Sequence, residues 1–439
     1  MTDKYVCFWE KIASNRTDAE SSLIGRYALK FIFFKYIKEN NCEDKLNLEE
    51  KNLYDFFTDP IESKFQEVKD FPYNQIDFKS LSIIANMVLS LDFNNNDLSI
   101  LYDICIRKIS EAIGKRGGNF LTPKEICQIM SQLAISGGIN KSQVKISDSV
   151  MGSGQLLTTL KMDLSANADS EIDYYGEELN LEFYDYARMR LIINGIPESN
   201  LHIHQGDTLT DDPNPKTKYD YILENPPYSV HWDDSNSELA NVIKEEYGVV
   251  PPKTKGDFAF IIQGLNKLAD DGTMVISLPH GILFRHSREE TLRKELVKRN
   301  LIDAIISLPT GLYDTSAIAT MIMVLKKDRD KQDILFIDAS EGYKKIGHKN
   351  VIQQGDIKKI VNTYDKFETV PKYSYAASAE EIEENDYNLN ISRYVDTYEE
   401  PKEIDIEQAK KDIDALNKQI SINQTKLSKL LSKVENEGK

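Results

Sequence analysis

Hydrophobic positions recur at two different spacings along the 439 residues. From about Phe8 to Ala112 they follow three- and four-residue steps, as at Leu23, Tyr27 and Phe31, and this spacing is typical of amphipathic helices. After the glycine-rich segment Gly114 to Phe120, short apolar runs alternate with amphipathic helical segments. The pattern therefore predicts an all-helical first domain, followed by a parallel sheet flanked by helices.

The second region has the pattern of a doubly wound, Rossmann-like α/β fold with a seven-stranded sheet. The predicted strands cover residues 144–150, 172–179, 201–208, 219–228, 273–281, 301–311 and 317–327. In sheets of this kind the ligand binds outside the carboxyl ends of the strands. Asp148, Glu178, Asp207 and Asn225 fall at or near the ends of the first four strands, so we expect them to share one site.

The first strand leads into a loop with the pattern D-x-x-x-G-x-G, formed by Asp148, Gly152 and Gly154. Glycine lets a backbone approach a ligand closely, although many strand-to-helix turns need glycine for steric reasons alone. At the end of the second strand, Glu178 can accept hydrogen bonds from two ribose hydroxyls or can be a surface or helix-capping residue. Asp207 can accept from a nucleobase amine or can form a strand-ending turn.

The motif Asn225-Pro226-Pro227-Tyr228 follows the fourth strand and carries the most specific chemical signal. The two prolines fix φ at consecutive positions and remove two N–H groups, so the loop is rigid. The side-chain oxygen of Asn225 and the carbonyl of Pro226 can both accept from an amine with a delocalised lone pair, and a planar base can stack on Tyr228. A strand-ending turn needs only one proline, and we therefore interpret the motif as a catalytic loop.

Charge and cysteine content limit the possible functions. The formal net charge is -17, so the isolated chain lacks the excess of Lys and Arg that gives non-specific affinity for nucleic acids, and an action on DNA would need a partner. The four cysteines lack the spacing of a disulfide framework or a zinc site, and we predict no metal. The sequence shows neither a signal peptide nor eighteen consecutive uncharged apolar residues, so we expect a cytoplasmic protein without a membrane segment.

Several motifs, in their order along the chain, resemble one family. NPPY, DSVMGSG and FLTPKE resemble amino-methyltransferases that use S-adenosylmethionine. GNFLTPKEICQIM, YYGEELN, QGDTL, GDFAFI, VISLPHGILFR and NLNISRYV occur in the order found in modification (methyltransferase) subunits of type I restriction-modification systems. The resemblance covers the catalytic region and extends to the helical first domain. It implies the methyltransferase form of the sheet, and methyl transfer from S-adenosylmethionine to the 6-amino group of adenine in DNA.

The resemblance also implies a role for each matching residue. The implied cofactor-binding residues are Phe120, Thr122 and Pro123 at the methionine part, Asp148, Gly152, Ser153 and Gly154 in the main loop, Glu178 at the ribose, Asp207 at the adenine, and Phe258 in the pocket wall. The implied catalytic residues, which hold the flipped target base, are Asn225, Pro226, Pro227 and Tyr228. Phe258 opens an amphipathic helix, and a phenylalanine in that position is more often a core residue. The chain departs from the family at Ser149, Met151 and Gln155, where proline, cysteine and a second glycine are common.

The carboxyl-terminal tail has a heptad pattern, with alternating three- and four-residue steps through Ile406, Ala409, Ile413, Leu416, Ile420, Asn423, Leu427, Leu430 and Val434. Such a seam cannot bury itself alone, and Asn423 at a core position would fix the register of a partner helix. The tail can equally fold back on its own domain. We predict a helical domain over residues 1–113, a methyltransferase domain over 114–398 and a coiled-coil assembly tail over 399–439.

No segment of the sequence looks like a target-recognition domain. The resemblance implies that the tail contacts a separate DNA-specificity subunit, that a second copy of the chain is present, and that DNA is bound through the complex. It leaves open whether a restriction or translocase subunit also binds, and this chain has no G-x-x-x-x-G-K-[ST] loop of its own. Two alternatives remain: an amino-methyltransferase that acts on RNA or on a protein glutamine, and a non-catalytic assembly subunit.

Overall fold

The computed structural model describes residues 21–41, 78–113, 121–138, 141–165, 170–235, 237–313, 318–347, 349–398 and 406–437. Residues Met1–Asp396 form one compact unit and Thr397–Lys439 form a second. The predicted helical residues before position 21 and between positions 42 and 77 lie outside the described part of the chain, as does Phe120. None of the described helices combines the length and the apolar character needed to cross a membrane.

Twelve α-helices lie within the described ranges. They are α1 Ser21–Asn41, α2 Phe78–Leu89, α3 Asn95–Ile113, α4 Lys124–Ala134, α5 Gln155–Ser165, α6 Leu181–Ile193, α7 Glu238–Tyr247, α8 Asp257–Lys267, α9 Arg288–Lys298, α10 Gln354–Lys366, α11 Ala379–Glu384 and α12 Ile406–Glu437. Helices α1 to α3 pack together through buried side chains that include Tyr27, Phe31 and Tyr102. The described part of the first region is thus helical, as its spacing predicts.

Eleven β-strands lie within the same described ranges. They are β1 Gln143–Asp148, β2 Glu171–Glu178, β3 Leu201–Gln205, β4 Tyr219–Glu224, β5 Leu268–Pro279, β6 Ile302–Ser307, β7 Thr320–Lys326, β8 Ile334–Asp338, β9 Lys344–Ile346, β10 Lys349–Val351 and β11 Ser374–Ala377. Nine strands form one sheet in the order β11-β8-β6-β7-β5-β4-β1-β2-β3, and β9 and β10 form a separate antiparallel ribbon. All seven predicted strands are present, as β1 to β7. Strand β1 pairs in parallel with β4, so the loops that follow these two strands are neighbours.

The main sheet differs from the prediction in strand number and direction. It is mixed rather than parallel, because β7 runs antiparallel to β5 and β6, and β11 runs antiparallel to β8. Parallel neighbours need a crossover that is usually helical, and the described residues between β6 and β7 contain no helix. Strands β8 and β11 come from the charged, mixed segment after residue 327, for which the sequence predicts no strand.

Both faces of the sheet are covered by helices. Helices α7 to α9 pack on one face in a core that includes Ile222 and Phe258, and α4 and α5 pack on the other in a core that includes Ile146. Helix α6 is buried on most sides: Ala187 belongs to the sheet core, whereas Met189 packs with α1 to α3. Side chains of α6 thus contribute to both of these cores. Helix α6 therefore joins the helical region to the sheet.

Helix α12 forms most of the second unit. Five of its predicted seam residues are 51–60 % exposed: Ile413, Leu416, Ile420, Leu427 and Leu430. A continuous exposed apolar seam on a helix is typical of a coiled coil whose partner is another chain. The coiled-coil assignment stays a prediction.

Candidate active site

The loop after β1 begins with a buried carboxylate. Asp148 is the last residue of β1, and its Oδ1 accepts from the backbone N–H of Val150 at 3.1 Å. Its Oδ2 is buried and accepts no hydrogen bond from any described residue. Burial, and then the nearby charge of Glu224, raise the pKa of Asp148 well above its usual range. A cationic or hydrogen-bond-donating ligand at Oδ2 would relieve this cost.

The two glycines of this loop adopt a left-handed backbone. Gly152 has φ of +52° and Gly154 has φ of +75°, a region that glycine enters at little cost. A Cβ at Gly154 would meet Ala187 of α6, 3.3 Å from its Cβ, whereas one at Gly152 would meet nothing within 4 Å. The close approach of the loop to α6 therefore requires glycine at position 154 in particular.

The difference between the two glycines predicts unequal costs. Gly152→Ala should lower the free energy of unfolding by about 1 kcal/mol through backbone strain alone. Gly154→Ala adds the contact with Ala187 and should cost about 2–3 kcal/mol. Urea denaturation of both variants tests this, and equal losses would contradict the close packing against α6.

Glu178 ends β2 and lies across from the glycine loop. Its Oε2 accepts from the backbone N–H of Gly152 at 2.9 Å, and its Oε1 accepts from that of Asn180 at 2.7 Å. A carboxylate has about four acceptor positions, so both oxygens retain a free one for ligand hydroxyls. Burial raises the pKa of Glu178, while these backbone hydrogen bonds lower it. Asp207, two residues beyond β3, is exposed, and its Oδ1 accepts from the N–H of Leu209 in a turn.

Asn225 follows β4 directly, and its amide is oriented on both sides. Its Nδ2 donates to Oγ1 of Thr122 at 2.9 Å. Its Oδ1 accepts from the hydroxyl of Tyr228 at 2.9 Å and from that of Tyr313 at 3.3 Å. The Tyr228 hydroxyl also lies 2.9 Å from that of Tyr313 and 3.0 Å from Oγ of Ser277. The amide oxygen is thus directed toward a cluster of hydroxyl groups, and an incoming amine would replace them as its donors.

The far side of the same loop is held by a buried ion pair. Ser229 has φ of +52°, and its backbone N–H donates to Oδ1 of Asp257 at 2.8 Å. Arg285 donates to Oδ2 of Asp257 at 3.0 Å, and the carboxylate is 1 % exposed. Asp257 begins α8, so the loop is fixed to the helix that covers this face of the sheet. Of the two prolines, Pro226 is buried and Pro227 is exposed.

A buried arginine holds the glycine loop after β1 from the side of α6. Arg190 of α6 is 2 % exposed, and its Nη1 donates to the backbone oxygen of Ser153 at 3.0 Å and to its Oγ at 2.7 Å. Nε and Nη2 of Arg190 donate to Oδ1 of Asp103 on α3, at 3.0 and 2.7 Å. One side chain therefore links the glycine loop to the helical region.

Comparison with known families shows to which family this chain belongs. Residues 94–403 match the model of the N-6 DNA Methylase family. The chain belongs to the N-6 DNA methylase family. This match extends from α3 across the whole sheet, and it includes both the glycine loop and the Asn225 loop.

Individual proteins that are similar to this chain are also methylases. The methylase subunit of the type I restriction enzyme MpnII of Mycoplasma pneumoniae is 30 % identical over 434 residues, which are 91 % of this chain and 80 % of that protein. The MjaVII methylase subunit of Methanocaldococcus jannaschii is 31 % identical over 303 residues, and the match spans about half of its length (51 %). The crystal structure of the type I methyltransferase subunit from Streptococcus thermophilus gives a TM-score of 0.77 at 29 % identity, with 90 % of this chain and 100 % of that chain covered. The predicted α/β methyltransferase fold is confirmed.

Some of the predicted site residues of this methylase are connected to one another, and others are not. Thr122, Asp148, Glu178 and Asn225, together with the glycine loop, are connected through the contacts described above, either to one another or through pairing of β1 with β2 and β4. Phe258 is 1 % exposed within the core under α8, which is the position of a core residue, so its role at the cofactor stays a prediction. Pro123 precedes α4 as its N-cap residue. Phe120 cannot be placed, because it lies outside the described residues.

Ser277 and Tyr313, whose hydroxyls complete the cluster around Asn225, are not among the site residues predicted from the sequence. A signal for both exists in the sequence, because Ile-Ser-Leu-Pro occurs twice, at 276–279 and at 306–309. The first copy contains Ser277 and ends β5, while the second ends β6 shortly before Tyr313. The rule that ligands bind at the carboxyl ends of strands applies to these two strands as well.

Glu224, also unassigned from the sequence, joins the two loops of the methylase. It ends β4 and is 0 % exposed, and its Oε1 accepts from Oγ of Ser149 at 2.6 Å. Its Oε2 is buried and has no partner among the described residues. Burial raises the pKa of Glu224 from 4.5 to about 8. Ser149, which departs from the proline common in the family, thus supplies a hydrogen bond that proline cannot donate.

The raised pKa of Glu224 predicts a pH dependence of stability. Because the pKa is higher in the folded chain than in the unfolded one, the contribution is complete below pH 4.5 and is lost as the pH rises through about 8. Between pH 7 and 9 this loss should be on the order of 1–2 kcal/mol, and Glu224→Gln should remove it. Urea unfolding at several pH values measures the slope. The exposed Glu245→Gln serves as control and should keep the wild-type slope, while an unchanged slope in Glu224→Gln would contradict the assignment.

The described residues contain no group of three or more His, Cys, Asp or Glu side chains that could hold a metal ion. His202 and His204, which share a strand, each lie near one aspartate, at 3.7 Å from Asp173 and 2.9 Å from Asp211 respectively.

Proposed function

We propose that this chain transfers a methyl group from S-adenosylmethionine to the 6-amino group of adenine in DNA, as the modification subunit of a type I restriction-modification complex. The observation that carries the proposal is the Asn225 loop. The contact with Thr122 orients its amide oxygen as an acceptor, and the neighbouring glycine loop after β1 begins with Asp148, whose Oδ2 has no partner among the described residues. The methylase family and the type I methylase relatives support the same reaction.

The cofactor loop fits S-adenosylmethionine, which supplies an electrophilic methyl group on a sulfonium. The buried Oδ2 of Asp148 lacks a donor, and a ligand with an ammonium or sulfonium group would stabilise the charged carboxylate. Glu178 retains acceptor positions for ribose hydroxyls, and Gly152 and Gly154 leave the backbone open to close approach. Asp207 and Phe258 complete the proposed set at the adenine and the pocket wall.

On the target side, Asn225 is the proposed catalytic residue. Its Oδ1 would accept from the adenine amine and localise the lone pair on nitrogen, with the carbonyl of Pro226 as the second acceptor. Because Nδ2 of Asn225 already donates to Thr122, the amide needs no reorientation when the base arrives. The hydroxyls of Tyr228 and Tyr313 hold the acceptor position until then. Tyr228 would afterwards stack on the flipped base.

Assembly is proposed to depend on α12. Its exposed apolar seam suits a helix of a DNA-specificity subunit, and Asn423 on that seam would fix the register. The net charge of -17 is consistent with DNA being gripped largely by other chains of the complex. A second copy of the chain belongs to the proposed complex, and a restriction or translocase subunit could join it.

The test is to follow the methyl group. The chain, purified with the proteins that accompany it in its host, receives methyl-labelled S-adenosylmethionine together with DNA, RNA or host protein. A matched DNA, fully methylated beforehand at adenine N6, shows whether that nitrogen is the acceptor. We expect label in adenine of unmethylated DNA, little in the premethylated DNA, and dependence on a co-purifying chain.

Other outcomes would contradict the proposal in distinct ways. Label in RNA or in protein glutamine alone would assign the chain to another class of amino-methyltransferase. If the chain binds neither cofactor nor label while remaining folded and assembled, it is a non-catalytic assembly subunit.

A further inference from the structure

The ribbon formed by β9 and β10 has an unusual charge for this chain. The segment 343–351 contains three lysines and no Asp or Glu, although the whole chain has a net charge of -17. Lys344 and Lys345 are exposed on β9, and no carboxylate among the described residues forms an ion pair with either. These two lysines are consecutive, so their side chains project to opposite faces of the ribbon and give each face a positive charge.

Packing does not account for the ribbon. Each of its strands has only three residues, it does not pair with the main sheet, and every residue of β9 is exposed. Ile346 is 56 % exposed, so its apolar side chain does not enter the core either. An isolated two-stranded hairpin is marginally stable in water at best. The ribbon therefore persists through its anchors rather than through burial of its own side chains.

Those anchors connect the ribbon to the active site. Asn350 of β10 donates from its backbone N–H to the oxygen of Gly311 at 3.1 Å, and from Nδ2 to the oxygen of Thr310 at 2.8 Å. Tyr313 follows Gly311 by two residues, so their Cα atoms lie at most about 7 Å apart. The Tyr313 hydroxyl then contacts Oδ1 of Asn225. The positive ribbon is thus fixed to the loop that borders the proposed target-base position.

We propose that the β9–β10 ribbon contacts the DNA phosphate backbone next to the flipped adenine, through Lys344 and Lys345. A base can reach Asn225 only if the strand that carries it lies against this side of the site, and lysine neutralises phosphate charge without reading sequence. The ribbon positions the strand, and sequence choice stays elsewhere in the complex. This inference rests on the proposed action on DNA.

The experiment compares two matched double variants in the assembled complex. Lys344→Gln/Lys345→Gln removes both ribbon charges. Lys216→Gln/Lys218→Gln removes two exposed lysines just before β4, at the opposite end of the strand from Asn225. The equilibrium dissociation constant for a mixed-sequence DNA duplex is measured from 50 to 200 mM salt, together with the KM for DNA and the cofactor affinity.

In the ribbon variant the slope of log affinity against log salt should decrease in magnitude by up to about 1.8. Each lost phosphate contact accounts for about 0.9 of this decrease. Its affinity deficit relative to wild type should then shrink roughly tenfold between 50 and 200 mM salt. The KM for DNA should rise, while cofactor affinity and the rate at saturating DNA stay at wild-type values. The control pair should bind and methylate as wild type does.

An unchanged slope in the ribbon variant would overturn the phosphate contact, and so would an equal change in the control pair. If the variant instead loses a co-purifying subunit while each assembled complex keeps the wild-type slope, the ribbon binds protein rather than DNA, and the proposal is wrong. The salt slope is obtained from binding alone, so it tests the phosphate contact of the ribbon even if the wild-type complex does not methylate DNA. A failure to methylate DNA would contradict only the proposed function.

Discussion

Replacing Asn225 with alanine should reduce methyl transfer to DNA adenine by about 10³-fold or more, because the substitution removes a preorganised acceptor for the reacting amine. The fold should survive, since Asn225 lies in the loop after β4 and is only half-buried. Cofactor binding should stay within a few-fold of wild type, as Asp148 and Glu178 are untouched. Single-turnover transfer of labelled methyl to DNA, measured beside equilibrium cofactor binding, separates the two effects.

Tyr313→Phe is the matched control for this variant. It removes one of the two hydroxyls that donate to Oδ1 of Asn225 but keeps the acceptor itself and the aromatic ring. We therefore expect a change of less than about tenfold in the transfer rate, because the lost bond belongs to the state without a target base. A wild-type rate of methyl transfer in Asn225→Ala would contradict the catalytic role of Asn225. Equal losses in both variants would show that the hydroxyl cluster, rather than the amide oxygen, is what the reaction needs.

Arg190→Ala should lower the free energy of unfolding by about 3–4 kcal/mol, the largest stability effect expected here. The substitution empties a fully buried position and leaves the carbonyl of Ser153 without its donor. Ser153 lies between Gly152 and Gly154, which both have a left-handed backbone. The glycine loop should therefore also lose its fixed geometry. We expect the affinity for S-adenosylmethionine to fall roughly tenfold, about 1.4 kcal/mol. Urea denaturation and cofactor titration measure the two losses.

Asp103→Asn isolates the other end of the same link. The Asp103 side chain is 53 % exposed, so its neutral replacement can still accept from Arg190 and remains solvated. This variant should cost less than Arg190→Ala, on the order of 1–2 kcal/mol, because a buried cation loses its partner charge but keeps a solvated acceptor, and it should leave cofactor affinity unchanged. A large loss in Asp103→Asn, with a small one in Arg190→Ala, would mean that the link serves the helical region and not the cofactor loop.

The sequence predicts the α/β class and the strands β1 to β7, because each of them contains a short apolar or alternating run that ends near turn residues. Strand β11, with the sequence Ser-Tyr-Ala-Ala, lies at the sheet edge and is too short and too weakly apolar to be recognised by pattern. Strand direction is also absent from the pattern. Buried parallel and antiparallel strands have the same run of apolar residues, so the reversal of β7 appears only when its neighbours are known.

The candidate site was predictable where function depends on local chemistry, and not where it depends on distant partners. Asn225, Asp148 and Glu178 each follow a strand and carry a suitable functional group, and the structure places them at neighbouring strand ends. Arg190 has the opposite character. A charged residue in an amphipathic helix predicts a solvent-facing position, and its burial is possible only because Asp103 and Ser153, distant in sequence, provide acceptors.

The placement of β7 between β5 and β6 has a consequence for biosynthesis. As the ribosome releases the chain, β1 to β5 can pair at once, but β6 has no partner among the earlier strands and must wait for β7. At 5–20 residues per second, the stretch from Pro279 to Lys326 takes roughly 2–9 seconds to appear, and β5 has an unpaired apolar edge during that time. Such an edge can pair with another nascent chain. Newly made copies are therefore open to edge-to-edge pairing until β7 has been synthesised and has paired with β5.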